Sequence, residues 1–375
     1  MPDMDLSALR QQVGDLDKQI LQLISERLET TKAIGEIKRQ KGLPIRDFRV
    51  EVQVLKRARA RARDVGLDQR VAEEIAELLM RAAVQTQAEL PPIVHTSPRK
   101  WVHVVGGHGR MGRWLTRFFE SQGHRVSITD PTEGPFSALE MPLDAAAKKA
   151  DVIVLATTLS ATPTILTELL SIVSDDHNPL VFDIASLKAE LIQPLREAAK
   201  RGLHVTSLHP MFAPGAVLLS GRAVIVCDAG NRQATDDAKS LFADTALGLY
   251  EIQLEEHDKL MTVVLGMSHL INLIFGRAVS HSNFPFDLLG KVASTTFAKQ
   301  IKTAAEVAEE NPSLYHEIQF FNTYTDQMLS DLNSSLAEFC EAAKAPDGKK
   351  FHDLMKETSR YLRLDEEKPQ STASR

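Results

Sequence analysis

Three glycines, one acid, one histidine and a few cations carry most of the chemistry this sequence can perform. Gly107, Gly109 and Gly112 stand in G-x-G-x-x-G spacing directly after the apolar run Trp101 to Val105. In that pattern the first glycine allows a tight turn, the second lets a pyrophosphate approach the backbone, and the third lets a helix pack close to its strand. The helix opening at Arg110 and Met111 would aim its free N–H groups at the phosphates. A second apolar run, Val126 to Ile128, leads into Asp130, at the offset from the glycines where an acid can bond ribose hydroxyls. A carboxylate there repels a 2′-phosphate and no arginine follows it directly, so the expected cofactor is NAD rather than NADP. His209 follows the apolar run Val205 to Leu208, which puts an imidazole at the carboxyl edge of a strand. An imidazole suits proton abstraction from a hydroxyl near neutral pH. Thr157 and Thr158, and the string Asp183 to Lys188, stand at two further strand ends, where ligands gather in such sheets.

A separate set of polar residues lies in the first ninety positions. Leu6, Leu9, Val13, Leu16, Ile20 and Leu23 recur three and four apart, the stripe of a packed helix, and the next step lands on Arg27. A guanidinium on an apolar face needs a partner. Lys38 shares that face to within about 20° and lies about 16 Å further along the axis, leaving room between the two side chains for one small dianion. Arg10 points about 100° away and would serve a different site, such as one in a partner subunit. Asp47 and Glu51 share a face of a second helix, and Gln87 projects from a third.

The elements that must hold these residues fall into three pieces. The stripe from Leu6 to Ile37 predicts a helix of about 35 residues, stopped by Gly42-Leu43-Pro44 and followed by helices from near Asp47 to Gly66 and from Asp68 to Glu89. One long helix with two shorter ones cannot cover its own stripe, so self-association is expected. A proline-rich linker follows (residues 93–99), and then strands and helices alternate, the pattern of an open, mostly parallel, doubly wound sheet over 100–254. Residues 255–365 read as helical, with breaks at Pro285, Pro312 and Pro346. The first helix of that piece, Leu260 to Ser280, is apolar nearly all round, which implies burial at a subunit interface. The polar tail 366–375 reads as disordered.

Composition bounds the class. The chain has 375 residues, 43% of them hydrophobic, enough for two or three cored domains. A formal net charge of −6 argues against a dedicated nucleic-acid binder, so the basic run Lys56 to Arg63 reads as a solvated helix face. Two cysteines, Cys227 and Cys340, make no disulfide framework and fit a reducing compartment. No signal peptide, no unbroken apolar run of membrane-spanning length and no metal-ligand cluster is read, so the expectation is a cytoplasmic protein without a membrane or nucleic-acid partner.

Two families share these motifs. Leu9-Arg10, Glu26-Arg27-Leu28, Gly35 to Lys38, Pro44 to Asp47, Glu51 and Thr86-Gln87 resemble the all-helical chorismate mutases, intertwined dimers of three-helix chains. The resemblance implies that Arg27 and the partner subunit's Arg10 bind the substrate carboxylates. It also implies that Lys38 and Gln87 contact the ether oxygen of the breaking bond, and that Asp47 and Glu51 serve the ring hydroxyl or the ether side. A pericyclic rearrangement needs a compact conformer and positive charge beside the developing anion. Two positions depart from the family pattern: Val50 stands where an arginine is common, with Arg49 beside it, and Ala83 replaces a frequent serine.

From Trp101 to about residue 320 the chain resembles the prephenate dehydrogenases of tyrosine biosynthesis, on Asp183 to Lys188, His209-Pro210-Met211-Phe212, Glu256-His257-Asp258 and Ser268-His269-Leu270. By that resemblance His209 takes the proton of the ring hydroxyl as hydride leaves for nicotinamide, His269 lies in the substrate pocket, and Thr157 or Thr158 supports His209. The family's carboxylate-binding arginine falls at Ala298, with Lys299 as the nearest substitute. The implied whole is a multidomain chain: an all-α chorismate mutase-type three-helix domain (1–92), an α/β Rossmann-type NAD-binding domain (100–254) and an all-α dimerisation domain (255–365). It would act as a bifunctional homodimer on chorismate and prephenate. Prephenate against arogenate stays open, as does a degenerate mutase domain that only regulates or dimerises.

Overall fold

The computed structural model describes residues 6–40, 48–88, 100–134, 139–173, 177–216, 218–219, 221–243 and 245–363. Asp47, the Gly42-Leu43-Pro44 stop, the linker 93–99 and the tail 366–375 lie outside the described residues, as does the side chain of Gln87. The described chain forms two compact units, Met1–His257 and Asp258–Arg375.

Helix α1 (Leu6–Gln40) has 35 residues, as the stripe requires. Helices α2 (Phe48–Val65) and α3 (Gln69–Ala88) pack on one another, and α3 also packs on α1. Leu55, Ala76 and Met80 form the buried cluster between α2 and α3, and Leu218 from the sheet region joins it. Arg59 of the basic run pairs with Glu73. The stripe of α1 stays open within one chain: Leu6, Val13, Leu16, Ile20, Leu23, Ile34 and Ile37 are all exposed.

The sheet alternates with helices in the expected way. Strand β1 (Trp101–Val105), helix α4 (Arg110–Ser121), β2 (Arg125–Thr129), β3 (Leu139–Glu140), α5 (Leu143–Ala147), β4 (Val152–Leu155), α6 (Thr162–Ile172) and β5 (Leu180–Asp183) come first. A 3-10 turn (Ala189–Leu191), α7 (Ile192–Lys200), β6 (Val205–Pro210), β7 (Ala223–Cys227), α8 (Arg232–Ser240) and β8 (Gly248–Glu251) complete the fold. Strand order is β3-β2-β1-β4-β5-β6-β7-β8. All these pairings are parallel except the antiparallel β6–β7 pair. Strands β3 and β8 are too short or too polar to show as apolar runs, and both sit at sheet edges. The central strands are buried on both faces, which explains their continuous apolar character. The one polar residue within β1, His103, is satisfied by Ser127 Oγ and Thr129 Oγ1, each at 2.9 Å.

This order puts the reversal of winding beside β1, where β2 lies on one side and β4 on the other. Ligands bind outside the carboxyl ends of strands at such a switch point. The glycine turn leaves β1 there, and His209 lies near the end of β6, three strands away along the same edge.

In the second unit, α9 (His257–Met261) runs through a π-helical stretch (Thr262–Met267) into α10 (Ser268–Ser280). Helices α11 (Phe286–Lys291), α12 (Thr295–Ala308), α13 (Pro312–Phe320), α14 (Thr325–Lys344) and α15 (Lys349–Arg363) follow. Gln319 Nε2 donates to the Gly266 carbonyl at 2.9 Å, and Thr262 Oγ1 donates to Asn322 Oδ1 at 3.1 Å, so the π-helical stretch is tied down from outside. By length and composition alone the helix from His257 to Ser280 could cross a membrane, which the broken apolar pattern did not suggest. No residue of α10 is buried within one chain, and Val263, Val264, Ile271 and Ile274 are exposed.

Candidate active sites

The glycine turn is built by close approach. Gly106, rather than Gly107, supplies the left-handed turn, with φ +84°. Gly107 is required for another reason: a Cβ there would lie 2.4 Å from the Ile128 side chain. A Cβ on Gly112 would lie 2.0 Å from the Gly106 carbonyl oxygen, so α4 rests directly on the turn. The first glycine of the fingerprint therefore packs, and its neighbour turns. Gly109 is the N-cap of α4 and is exposed, as is Arg110, and Met111 is half-buried in the first helical turn.

Asp130 is held ready at the end of β2. Its Oδ2 accepts from the His108 backbone N–H at 2.9 Å, and its Oδ1 accepts from the Thr132 N–H at 2.9 Å and hydroxyl at 2.7 Å. Burial pushes its pKa up, but the bonds from Thr132 and His108 outweigh that and hold it below the usual carboxylate value. Oδ1 is filled by its two bonds from Thr132, and Oδ2 keeps one further lone-pair site for a ribose hydroxyl. The open helix start, the tight glycines and this fixed carboxylate fit a dinucleotide without a 2′-phosphate.

His209 is only 4% exposed, and His257 is fully buried. His209 Nδ1 lies 3.0 Å from His257 Nε2, and the rings are tilted with centroids 5.1 Å apart. The neighbouring Leu208 carbonyl accepts from Lys188 Nζ at 2.8 Å, and Lys188 forms a fully buried ion pair with Asp183 at 2.6 Å. Burial first, then the nearby His257 and Lys188, push the His209 pKa well below the ordinary imidazole value. The ring is therefore neutral at physiological pH and able to accept a proton. Sequence reasoning missed His257 as its partner.

Thr157 and Thr158 follow strand β4, and β5 lies between β4 and β6, the strand of His209. Thr157 Oγ1 bonds Thr162 Oγ1 at 2.8 Å, and Thr158 Oγ1 bonds Ser160 Oγ at 3.2 Å, so both organise the start of α6. In the second unit, His269 stacks on Tyr315 with centroids 4.1 Å apart, and burial pulls its pKa down despite Glu310. Lys299 is exposed on α12, beside Gln300, whose amide donates to Asn272 of α10 at 2.9 Å.

In the helical N-terminal region Arg27 is half-buried, and its Nη1 donates to the Leu79 carbonyl of α3 at 3.2 Å. Burial, then Arg57 of α2, pull its pKa below the usual arginine value, so three helices converge on this guanidinium. Glu51 is buried and Lys38 half-buried. Arg10 is exposed and lies several turns from Arg27 along α1, out of its reach within one chain. Ala83 is buried and Val50 exposed.

Comparison with known proteins resolves these pieces. The model of chorismate mutase type II matches residues 9–88, that of the prephenate dehydrogenase nucleotide-binding domain residues 137–249, and that of the prephenate dehydrogenase dimerization domain residues 253–357. The chain belongs to the bifunctional chorismate mutase–prephenate dehydrogenase family. The T-protein of Enterobacter agglomerans is 25% identical over 323 residues, covering 84% of this chain and 81% of that protein. The T-protein of Haemophilus influenzae is 23% identical over 313 residues, covering 84% and 80%. A chorismate mutase of Methanocaldococcus jannaschii is 32% identical over 75 residues, 20% of this chain and 76% of that protein. Among solved structures, prephenate dehydrogenase from A. aeolicus superposes with a TM-score of 0.56 at 18% identity, over 72% of this chain and 99% of that one, which establishes the shared fold. The dehydrogenase nucleotide-binding model begins after the glycine turn, so the cofactor loop stands on its own geometry. The exposed apolar residues of the π-helical stretch and α10 fall within the matched dimerization domain.

Proposed function

We propose that this chain rearranges chorismate to prephenate and then oxidatively decarboxylates prephenate to 4-hydroxyphenylpyruvate, using NAD, as a cytoplasmic homodimer. The observation that carries the dehydrogenase half is the buried, neutral His209 on the same sheet edge as the glycine turn and Asp130. Bound NAD supplies the hydride acceptor. Gly109, Arg110 and Met111 present the start of α4 to its pyrophosphate, Gly107 and Gly112 keep the approach open, and Asp130 takes the adenosine ribose hydroxyls. His209 accepts the ring-hydroxyl proton, which pushes electron density toward the departing hydride. His269 and Lys299 are assigned to substrate binding, Lys299 as a monodentate carboxylate contact. Thr157 and Thr158 shape the β4 end of the pocket.

The mutase half rests on Arg27, on which three helices converge through Leu79 of α3 and Arg57 of α2, and Glu51 of α2, which is buried, is assigned to the same site. Lys38 and Gln87 complete it at the ether oxygen, Asp47 at the ring hydroxyl, and Arg10 enters from the partner subunit. A second copy also covers the open stripe of α1, which one chain leaves in water. Positive charge fixed before reaction lowers the barrier without reorganisation.

Purified full-length protein tests both halves. Chorismate loss without NAD reports the mutase. NADH absorbance with prephenate, arogenate and simple 2-hydroxy acids reports the dehydrogenase and its substrate. NADH formation from a hydroxy acid but from neither cyclohexadienyl substrate would overturn the dehydrogenase assignment, and stable chorismate would reduce the helical domain to a dimerising or regulatory role.

A further inference from the structure

The His209–His257 pair contains an unused constraint on where protons sit. A neutral imidazole carries one N–H and one acceptor nitrogen, and the other ring's hydrogen bond decides which is which. With His209 Nδ1 only 3.0 Å from His257 Nε2, one of these two nitrogens must hold a proton and the other must accept it. If His257 donated, neutral His209 would carry its own proton on Nε2 and could not accept one there. If His209 donates from Nδ1, its Nε2 is the acceptor. Burial first, then the neighbouring His257 and Lys188, favours the neutral form of His209. Lys188, paired to Asp183, sits behind β6 on the Leu208 carbonyl, and both imidazoles are buried.

We propose that His257 is a positioning residue: its Nε2 accepts the Nδ1–H of His209, which locks His209 in the tautomer whose Nε2 takes the substrate hydroxyl proton. The same bond stabilises the imidazolium that forms when His209 is protonated, as an acceptor behind a catalytic histidine does elsewhere. This inference rests on the reading of His209 as the base. His257 is placed for it by the turn that leads from β8 into α9. There Arg196 clasps Glu255 through its Nε and Nη2 at 2.7 to 3.0 Å and anchors the segment just before the histidine.

The test compares two amides of similar bulk in the full chain. In His257→Gln the side-chain oxygen can reach the Nε2 position and accept from His209. In His257→Asn it falls about one bond short. Dehydrogenase kinetics with prephenate and NAD should show kcat for the Asn variant about 100-fold below wild type. Its KM values should stay within threefold, and the acid limb of its kcat/KM profile should move to lower pH because the His209 imidazolium loses its acceptor. The Gln variant should stay within tenfold of wild type and keep the wild-type limb. A merely structural histidine would make the two variants equal, and that result, or an unaffected Asn variant, overturns the proposal. His209→Asn separates the two levels: if it retains turnover, the base reading itself fails. An inactive His209→Asn beside a normal His257→Asn removes only the role of His257. Chorismate turnover by the same preparations reports that each variant is folded.

Discussion

The sheet region and the helical N-terminal region solve the same problem, holding charge where a reaction needs it, in opposite ways. Around His209 and Asp130 one chain supplies the polar groups and their partners: His257 behind His209, Asp183 behind Lys188, and His108 with Thr132 behind Asp130. Around Arg27 one chain supplies only part. Arg10 lies beyond reach, and the apolar stripe of α1 faces solvent. A parallel sheet buried on both faces fixes its carboxyl edge from within, whereas an isolated three-helix piece must borrow surface from a second copy. The bonds that hold His209 and Asp130 should therefore survive dilution, and the proposed mutase site, which takes Arg10 from a second copy, should not.

The sharpest break between the regions is His209→Asn. It should lower NADH formation by roughly 10²–10⁴-fold and leave chorismate turnover unchanged, since no mutase residue lies on β6. Arg27→Ala should do the reverse. Loss of one preorganised cation beside a developing anion costs about 10²–10³ in kcat, read as chorismate disappearance, with prephenate oxidation intact. If both activities fell together in either variant, the two sites would not be separable.

Acid should divide the regions next. Burial lowers the pKa of His103, on β1, from 6.5 to about 4. The unfolded chain then binds a proton that the folded sheet refuses, so stability is whole above pH 6.5 and is lost as pH falls toward 4. The slope of about 1.36 kcal/mol per pH unit makes the loss about 3 kcal/mol across that window. Urea unfolding of the sheet, followed through Trp101 and Trp114, should show the drop, and His103→Gln should flatten it. An unchanged slope in that variant would assign the acid sensitivity elsewhere.

How much of this was legible in the sequence also differs between the regions. Short continuous apolar runs placed β1, β2 and β4 to β7, which are buried on both faces, and the 3.6-residue period placed the long α1, whose stripe must find a cover. Gly112 and Asp130 were readable because the contacts that need them are local or fall at a fixed offset. Gly106 was not singled out, because two adjacent glycines look alike until one takes φ +84°. Nor was His257 as the partner of His209: they lie 48 residues apart, and only the path from β8 into α9 brings them together. The strand order, which places β5 between β4 and β6, is likewise encoded by no local pattern.

The smallest effect concerns the place where the regions touch. The segment after His209 runs past Trp114, whose indole donates to the Ala216 carbonyl at 3.1 Å, and then inserts Leu218 between α2 and α3 against Leu55, Ala76 and Met80. Leu218→Ala should cost about 2 kcal/mol, the lower end for a buried leucine. The cluster is small, and Leu218 is already 8% exposed to water. That loss should fall unevenly. Leu219, the next residue, stays in the sheet core, so the sheet keeps its packing while α2 and α3 lose a cover. Hydrogen exchange should accelerate in α2 and α3 and not in β1 or β4, with chorismate turnover becoming more sensitive to heat than prephenate oxidation. Equal loosening of both regions would mean that they unfold as one cooperative body, and that the contrast between a self-sufficient site and a borrowed one ends at the ligands.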